Sequence, residues 1–261
     1  MSVGTAVVTG GAGGLGAAIV TRLVRDGYTV AALDTAFADS EPKGTEPRSA
    51  EPRSVEPRST EPGSTSIRNW HCDVADADNV QRVVQQVGEF YGGIDVLVNN
   101  AGLLTGRSSF LDATPAELHR VFGVNAVGAV IMTQACYPWL RSSGCRGRVI
   151  NVASRTFFTG GPGQLAYVAS KGALIGMTRV MARELGPDGI TVNAVMPAQV
   201  ATPGTRAHSG PDMFSTTMSQ QSIQRFVTPD DFAALVAFVA SPDASMITGQ
   251  TMVCDGGALM H

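Results

Sequence analysis

The chain has 261 residues, a formal net charge of -3 and 16% charged residues. That length accommodates one large α/β domain or two small ones, and the even spread of apolar residues favours a single core over residues 1–261. With 19 Lys and Arg against 22 Asp and Glu and no long basic run, the composition argues against a nucleic-acid footprint and the expected partner is a small molecule.

The stretch from Met1 to Val8 lacks the basic region and long apolar core of a signal peptide, and no run of eighteen apolar residues occurs. The expectation is a soluble, cytoplasmic protein without a membrane partner. Cys72, Cys136, Cys145 and Cys254 are scattered, without Cys-x-x-Cys pairs or a Cys/His cluster, which argues against both a disulfide framework and a metal site.

Along the chain, short apolar runs alternate with helix-length segments. Ala6 to Thr9, Thr29 to Leu33, Arg68 to Cys72, Val96 to Asn99, Arg148 to Val152 and Thr191 to Met196 read as strands, and the segment from Ile247 onward supplies one more. Between them, Ala17 to Arg25, Ala77 to Phe90, Pro115 to Leu140, Leu165 to Leu185 and Pro229 to Val239 carry helical periodicity. Pro115 and Pro229, each behind a Thr, read as first-turn residues. This alternation predicts a doubly wound parallel α/β sheet of about seven strands with helices on both faces. Residues 41–65 break the pattern with five tandem pentapeptides built on Glu-Pro-Arg-Ser. Proline every fifth residue forbids a regular helix there, so an extended loop replaces or shortens a crossover helix.

After the first strand comes Thr9-Gly10-Gly11-Ala12-Gly13-Gly14-Leu15-Gly16. Glycines allow close approach of a pyrophosphate, and the helix that follows offers free N–H groups and a partial positive charge. Two registers fit, one through Gly11, Gly13 and Gly16 and one through Gly10, Gly14 and Gly16. Asp34 ends the second strand, where a carboxylate accepts hydrogen bonds from ribose hydroxyls and repels a 2'-phosphate. Ala12, Gly13 and Thr35 supply no cation for such a phosphate, so NAD is expected over NADP. Asp73 and Val74 follow the third strand; Asp73 either frames the adenine or caps the next helix. Asn99-Asn100-Ala101-Gly102 ends the fourth strand with small residues against which a cofactor can lie.

Tyr167 and Lys171 are four apart in a helical segment and share a face. A neighbouring ammonium lowers a phenol's pKa and suits it to exchange a proton with an alcohol or carbonyl oxygen. Ser154, after the strand Arg148 to Val152, is placed to donate to a developing oxyanion. Asn125, polar inside a helical run, either holds a water near Lys171 or bonds a neighbouring turn.

In that order and at those separations, these motifs resemble the short-chain dehydrogenase/reductase family over essentially the whole chain except the pentapeptide tract. The resemblance implies a Rossmann-type domain with Tyr167 as general acid/base, Lys171 on the nicotinamide ribose and lowering the tyrosine pKa, Ser154 positioning the substrate oxygen and Asn125 supporting a relay water. By the same matching Gly10, Gly14, Leu15, Gly16, Asp34, Asp73, Val74, Asn100, Ala101, Gly102, Tyr167, Lys171, Pro197, Val200 and Thr202 contact NAD. The chain departs from the family in reading Pro197-Ala198 where most members have Pro-Gly, which puts the local cofactor geometry in question.

Pro203 to Phe226, with Gly204, Gly210, Met213, Phe214 and Met218, reads as a mobile lid. Arg155, Phe157 and Phe158 after the serine, with Leu103 and Leu104, suggest a mostly apolar, partly aromatic pocket. The run from Ser154 to Pro162 and the ending from Thr248 to His261 look similar to NAD-linked 1-phenylethanol and pyridoxal 4-dehydrogenases. The function expected is hydride transfer between a small alcohol, or its ketone or aldehyde, and nicotinamide. A 3-oxoacyl-carrier-protein reductase and a non-enzymatic dinucleotide sensor are the alternatives; Asp34 speaks against the first and the four catalytic side chains against the second. The resemblance also implies a homodimer or homotetramer packed through the helices at Pro115 to Leu140 and Leu165 to Leu185.

Overall fold

The structure is a computed structural model that describes residues 3–38, 66–144, 146–208 and 211–260. The expectations placed on the 41–65 repeat and on Cys145 fall outside the described residues.

Seven parallel strands form one sheet: β1 (Thr5–Thr9), β2 (Thr29–Asp34), β3 (Ile67–His71), β4 (Val96–Asn99), β5 (Arg148–Val152), β6 (Thr191–Pro197) and β7 (Thr251–Cys254), in the order β3-β2-β1-β4-β5-β6-β7. The chain winds outward from β1 in one direction, then crosses back to β4 and winds in the other. This leaves a crevice at the carboxyl ends of β1 and β4. Helices α1 (Gly14–Arg25), α2 (Ala77–Tyr91), α3 (Pro115–Phe122), α4 (Gly128–Ser142), α5 (Thr156–Thr159), α6 (Leu165–Leu185), α7 (Pro203–His208), α8 (Pro211–Ser219) and α9 (Pro229–Ala240) complete it.

Both sheet faces are covered, which is why the central strands are continuously apolar rather than alternating. On one face Ile19, Leu23, Phe232 and Val236 of α1 and α9 pack on Ala6, Val8, Val98, Ile150 and Val195. On the other, Val80, Val84, Met132 and Leu140 of α2 and α4 pack on Val7, Leu33, Leu97 and Val149. The capping Thr residues act as expected: Thr114 and Thr228 accept from backbone N–H groups of Glu117 and Asp231.

The single helix expected from Pro115 to Leu140 is interrupted. A π-turn spans Gly123–Val127, closed by the Gly128 N–H on the Gly123 carbonyl. The close fit of Gly128 is visible in its surroundings, where a Cβ would stand 2.9 Å from Val74 Cγ2 and 3.0 Å from Val74 O. Extra residues in a π-turn rotate side chains around the axis, here bringing Asn125 into the buried interior. The whole run Pro115–Ser142 is long and apolar enough to cross a membrane by length and composition, but half of its apolar window is buried; its apolarity serves packing against α2, α6 and the sheet.

Candidate active site

The loop after β1 is held by β4. Thr9 Oγ1 accepts from the N–H groups of Asn100 and Ala101, both at 3.0 Å, and donates to the Val98 carbonyl at 3.3 Å. Asn100 Nδ2 returns bonds to the carbonyls of Thr9 and Gly10 at 2.9 and 3.1 Å. Gly10 and Gly14 have φ of 66° and 56°, backbone that disfavours L side chains. A Cβ on Gly16 would stand 1.9 Å from the Gly10 carbonyl oxygen, so Gly16 is buried and shapes the loop from below. Gly13 is the N-cap of α1, with no side-chain cap and no acid in the first turn, and a Cβ there would meet nothing within 4 Å. The helix N-terminus therefore opens outward with N–H donors unclaimed among the described residues and its positive dipole end, a fit for a pyrophosphate.

Asp34 stands beside this cradle, its Oδ2 accepting from Ala12 N–H at 3.0 Å and its Oδ1 from Ala36 N–H at 2.9 Å. Both bonds aim the carboxylate along the loop and leave acceptor capacity on each oxygen for a ribose diol. The helix cap after β3 is Asp76, which accepts from Asn79 N–H; Asp73 instead bonds Ala75 N–H at 2.9 Å and stays exposed. Val74 is buried against Gly128. From the other side, the loop after Pro197 folds over the glycine turn: Thr202 Cβ lies 3.6 Å from where a Cβ on Gly14 would be, and Val200 packs with Ala198, Val227 and Leu15. Ala198 N–H bonds the Cys254 carbonyl at 2.8 Å, so the residue replacing the family's glycine faces a packed wall.

Ser154 leaves the end of β5 and faces α6, where its hydroxyl interacts with the Tyr167 phenol. It also bonds Thr156 Oγ1 at 2.8 Å. Lys171 is buried, its Nζ donating to the Val152 carbonyl at 2.7 Å, and burial pulls its pKa down to about 8. Burial raises the Tyr167 pKa, and Ser154 is the group that draws it back. One of the three Lys171 donors is thus used on the Val152 carbonyl, and the others face the space beside Tyr167 and Gly102. A Cβ on Gly102 would lie 3.4 Å from both Asn125 Oδ1 and Lys171 Nζ, so the absent side chain keeps those two groups facing one small space. Asn125 bonds both backbone groups of Leu103, at 2.7 and 3.1 Å, and the Ser170 hydroxyl at 3.0 Å. Bonding a neighbouring segment is thus the reading of Asn125 that the geometry displays.

Two residues were not singled out from the sequence. Thr9 ties β1 to β4, and Ser170, fully buried, joins Asn125 to the Tyr167 carbonyl through a 2.8 Å bond; both lie inside quoted motifs, where a polar residue at a strand end or a buried helix position was the available signal.

The aromatic wall needs correction. Phe157 packs on α6, where a Cβ on Gly172 would be 2.6 Å from its ring, and with Phe110, Leu165 and Ala169 it lines a surface hollow. At 100° per residue these α6 positions lie on the far side from Tyr167 and Lys171. Leu103 and Leu104 remain half-buried by the site. Of the expected lid, α7 and α8 are described, with Phe214 buried; Gly210 falls outside the described residues.

A family model described as enoyl-(acyl carrier protein) reductase matches residues 10–259. The chain is 38% identical over 263 residues to the diacetyl reductase [(S)-acetoin forming] of Staphylococcus aureus, covering 97% of this chain and 96% of that protein. It is 34% identical to the short-chain dehydrogenase/reductase eriH of Hericium erinaceus, over 98% of each. Among solved structures, the 3-ketoacyl-(acyl-carrier-protein) reductase of Brucella melitensis complexed with NADH superposes with a TM-score of 0.83 at 26% identity, covering 99% of each chain.

Proposed function

The chain belongs to the short-chain dehydrogenase/reductase family, and from that premise we propose that it is an NAD-dependent oxidoreductase interconverting a small, largely apolar alcohol and its carbonyl compound. The observation that carries the reading is the juxtaposition, at one sheet edge, of an uncapped helix N-terminus beside Asp34 with the Ser154, Tyr167 and Lys171 group. The solved relative's complex with NADH supports a nicotinamide dinucleotide. Preference for NAD rests on Asp34, whose carboxylate would repel a 2'-phosphate.

Bound NAD supplies the hydride acceptor. Gly10, Gly14 and the α1 N-terminus would hold its pyrophosphate, Asp34 its adenosine ribose and Lys171 its nicotinamide ribose. Ser154 orients the substrate oxygen by donating a hydrogen bond, and Tyr167 Oη takes the hydroxyl proton in oxidation or returns it in reduction. Asn125 holds Leu103 and so the wall between substrate and Lys171.

Absorbance at 340 nm with NAD and NADP against aliphatic and aromatic alcohols tests this, with Tyr167→Phe as control. Turnover lost in that variant with NADH binding retained is the expected result; near-normal turnover would sink the mechanism, and NADH binding without turnover of any alcohol would favour a dinucleotide sensor. A 3-oxoacyl-carrier-protein reductase is the second reading, favoured by the 36% identity to the enzyme of that name from Staphylococcus aureus; NADPH-dependent reduction of an acyl-carrier thioester would select it. A homodimer or homotetramer is proposed as well, supported by Val127, Leu165 and Val180, which are exposed on the turn before α4 and on α6, with light scattering as its test.

A further inference from the structure

The residue after Ser154 is a cation. Arg155 is half-buried at the N-cap of α5. The one hydrogen bond of its side chain among the described residues runs from Nη2 to Thr217 Oγ1 on α8, at 3.3 Å. Thr217, itself buried, donates on to Gln199 Oε1 in the loop after β6 at 2.9 Å. The guanidinium therefore joins the residue after Ser154 to α8, in the segment expected to act as a lid, and through Thr217 to Gln199 in the loop after β6. On the dehydrogenase reading, a substrate whose oxygen is held by Ser154 extends past this residue toward α8.

Arg155 forms no ion pair among the described residues. The carboxylate whose field reaches it is that of Asp255, and Asp255 is committed elsewhere: Oδ1 accepts from the N–H groups of Gly257 and Ala258 at 3.0 and 3.2 Å, and Oδ2 from Leu259 at 2.9 Å. A guanidinium has five N–H donors in a planar fork that matches a carboxylate, and one of them is used among the described residues. A partly desolvated cation with open donors is unfavourable unless something supplies the counter-charge. With Phe157 turned to the far side of α6, Arg155 is the chemically distinctive group on this wall.

We propose that Arg155 is a substrate-charge acceptor, and that the alcohol or carbonyl compound carries a carboxylate at the end remote from its reacting carbon. A single cation already in the field of Asp255 suits one negative charge, which favours a carboxylate over a doubly charged phosphate. The inference rests on the dehydrogenase reading of the site and names its substrate class.

The test measures binding of 4-acetylbenzoate and of uncharged acetophenone to the full chain loaded with NADH, by calorimetry, in a Tyr167→Phe background that prevents turnover. The carboxylate is expected to bind about thirtyfold tighter, the scale of one charged hydrogen-bonded contact. In Arg155→Met that ratio falls to about one to three, and Arg155→Lys, which keeps the charge without the fork, retains an intermediate preference. No preference in the Tyr167→Phe background, or the same preference in Arg155→Met, overturns the proposal. Turnover of the same two ketones by the unsubstituted chain reports on the dehydrogenase reading separately: its persistence in Tyr167→Phe would remove that mechanism and leave the charge ratio as the measure of Arg155.

Discussion

Thr9→Val should loosen the site from its base. Valine has the shape of threonine, so the substitution isolates the hydroxyl. In the native chain that hydroxyl, 1% exposed with its residue, accepts from two backbone N–H groups at 3.0 Å each. Asn100 N–H keeps a second acceptor, the Val98 carbonyl at 3.1 Å; Ala101 N–H has no other among the described residues. Stranding one part-buried donor costs about 1–3 kcal/mol and weakening the shared one about 0.5–1 kcal/mol, against about 0.8 kcal/mol gained from the added methyl. The balance is a loss of about 2 kcal/mol, or a melting temperature lower by about 4–8 °C for a chain of this size. Thermal and urea unfolding measure it, with Thr9→Ser expected within about 1 kcal/mol of the native chain because the acceptor survives. NADH affinity, followed by fluorescence, should fall in Thr9→Val, since Asn100 holds the Gly10 turn from the same junction. A Thr9→Val protein that melts within about 1 °C of native and binds NADH normally would refute the claim that this hydroxyl couples the two loops.

Asp34→Ala should narrow the preference for NAD over NADP by removing the repulsive carboxylate, and should loosen the glycine turn through loss of the Ala12 bond; an unchanged ratio of kcat/KM values would contradict the ribose assignment. The Lys171 pKa, lowered to about 8 by burial, fixes a stability window. Below about pH 8 both folded and unfolded lysine are protonated and the buried charge is fully destabilising. From there to about pH 10.5 the unfolded chain binds more protons, so this group's contribution to stability rises with pH, by about 2 kcal/mol between pH 8 and 9.5. Lys171→Met should abolish that rise in urea-unfolding free energies, and an identical pH profile in the variant would show that another group produces it. The raised Tyr167 pKa keeps the phenol protonated at neutral pH, so carbonyl reduction should run best near neutrality and alcohol oxidation should climb with pH; coincident pH profiles for the two directions would contradict this.

Much of the molecule was legible in the residues because local chemistry and tertiary role coincide there. Strands buried on both faces must be apolar throughout, which marks β1, β2, β4, β5 and β6 to within a residue or so, with Asp34 gained by β2; the edge strand β3, partly exposed and polar at Arg68 and Asn69, is found by its place in the alternation and loses Cys72. The glycine loop announces itself because φ of 66° at position 10 favours glycine and the 1.9 Å approach at position 16 leaves no room for a Cβ. Tyr167 and Lys171 declare a shared face through a spacing of four, a property of one helix alone. What the chain order could not reveal depends on which segments meet. The π-turn that buries Asn125 is set where Gly128 slides under Val74, far away in sequence. The carbonyl that Lys171 bonds lies on β5, and the burial that raises the Tyr167 pKa, with the Ser154 hydroxyl drawing it back, depends on which elements meet, because burial and distance, not spacing, set a phenol's surroundings. Phe157 and Arg155 are two residues apart, and only the packing of α5 against α6 and the bond from Arg155 to Thr217 of α8 send the ring onto α6 and the guanidinium toward α8. Residue types and spacings determine which chemistry is possible; the tertiary structure assigns it, because pKa, partner and accessibility are properties of the space between elements.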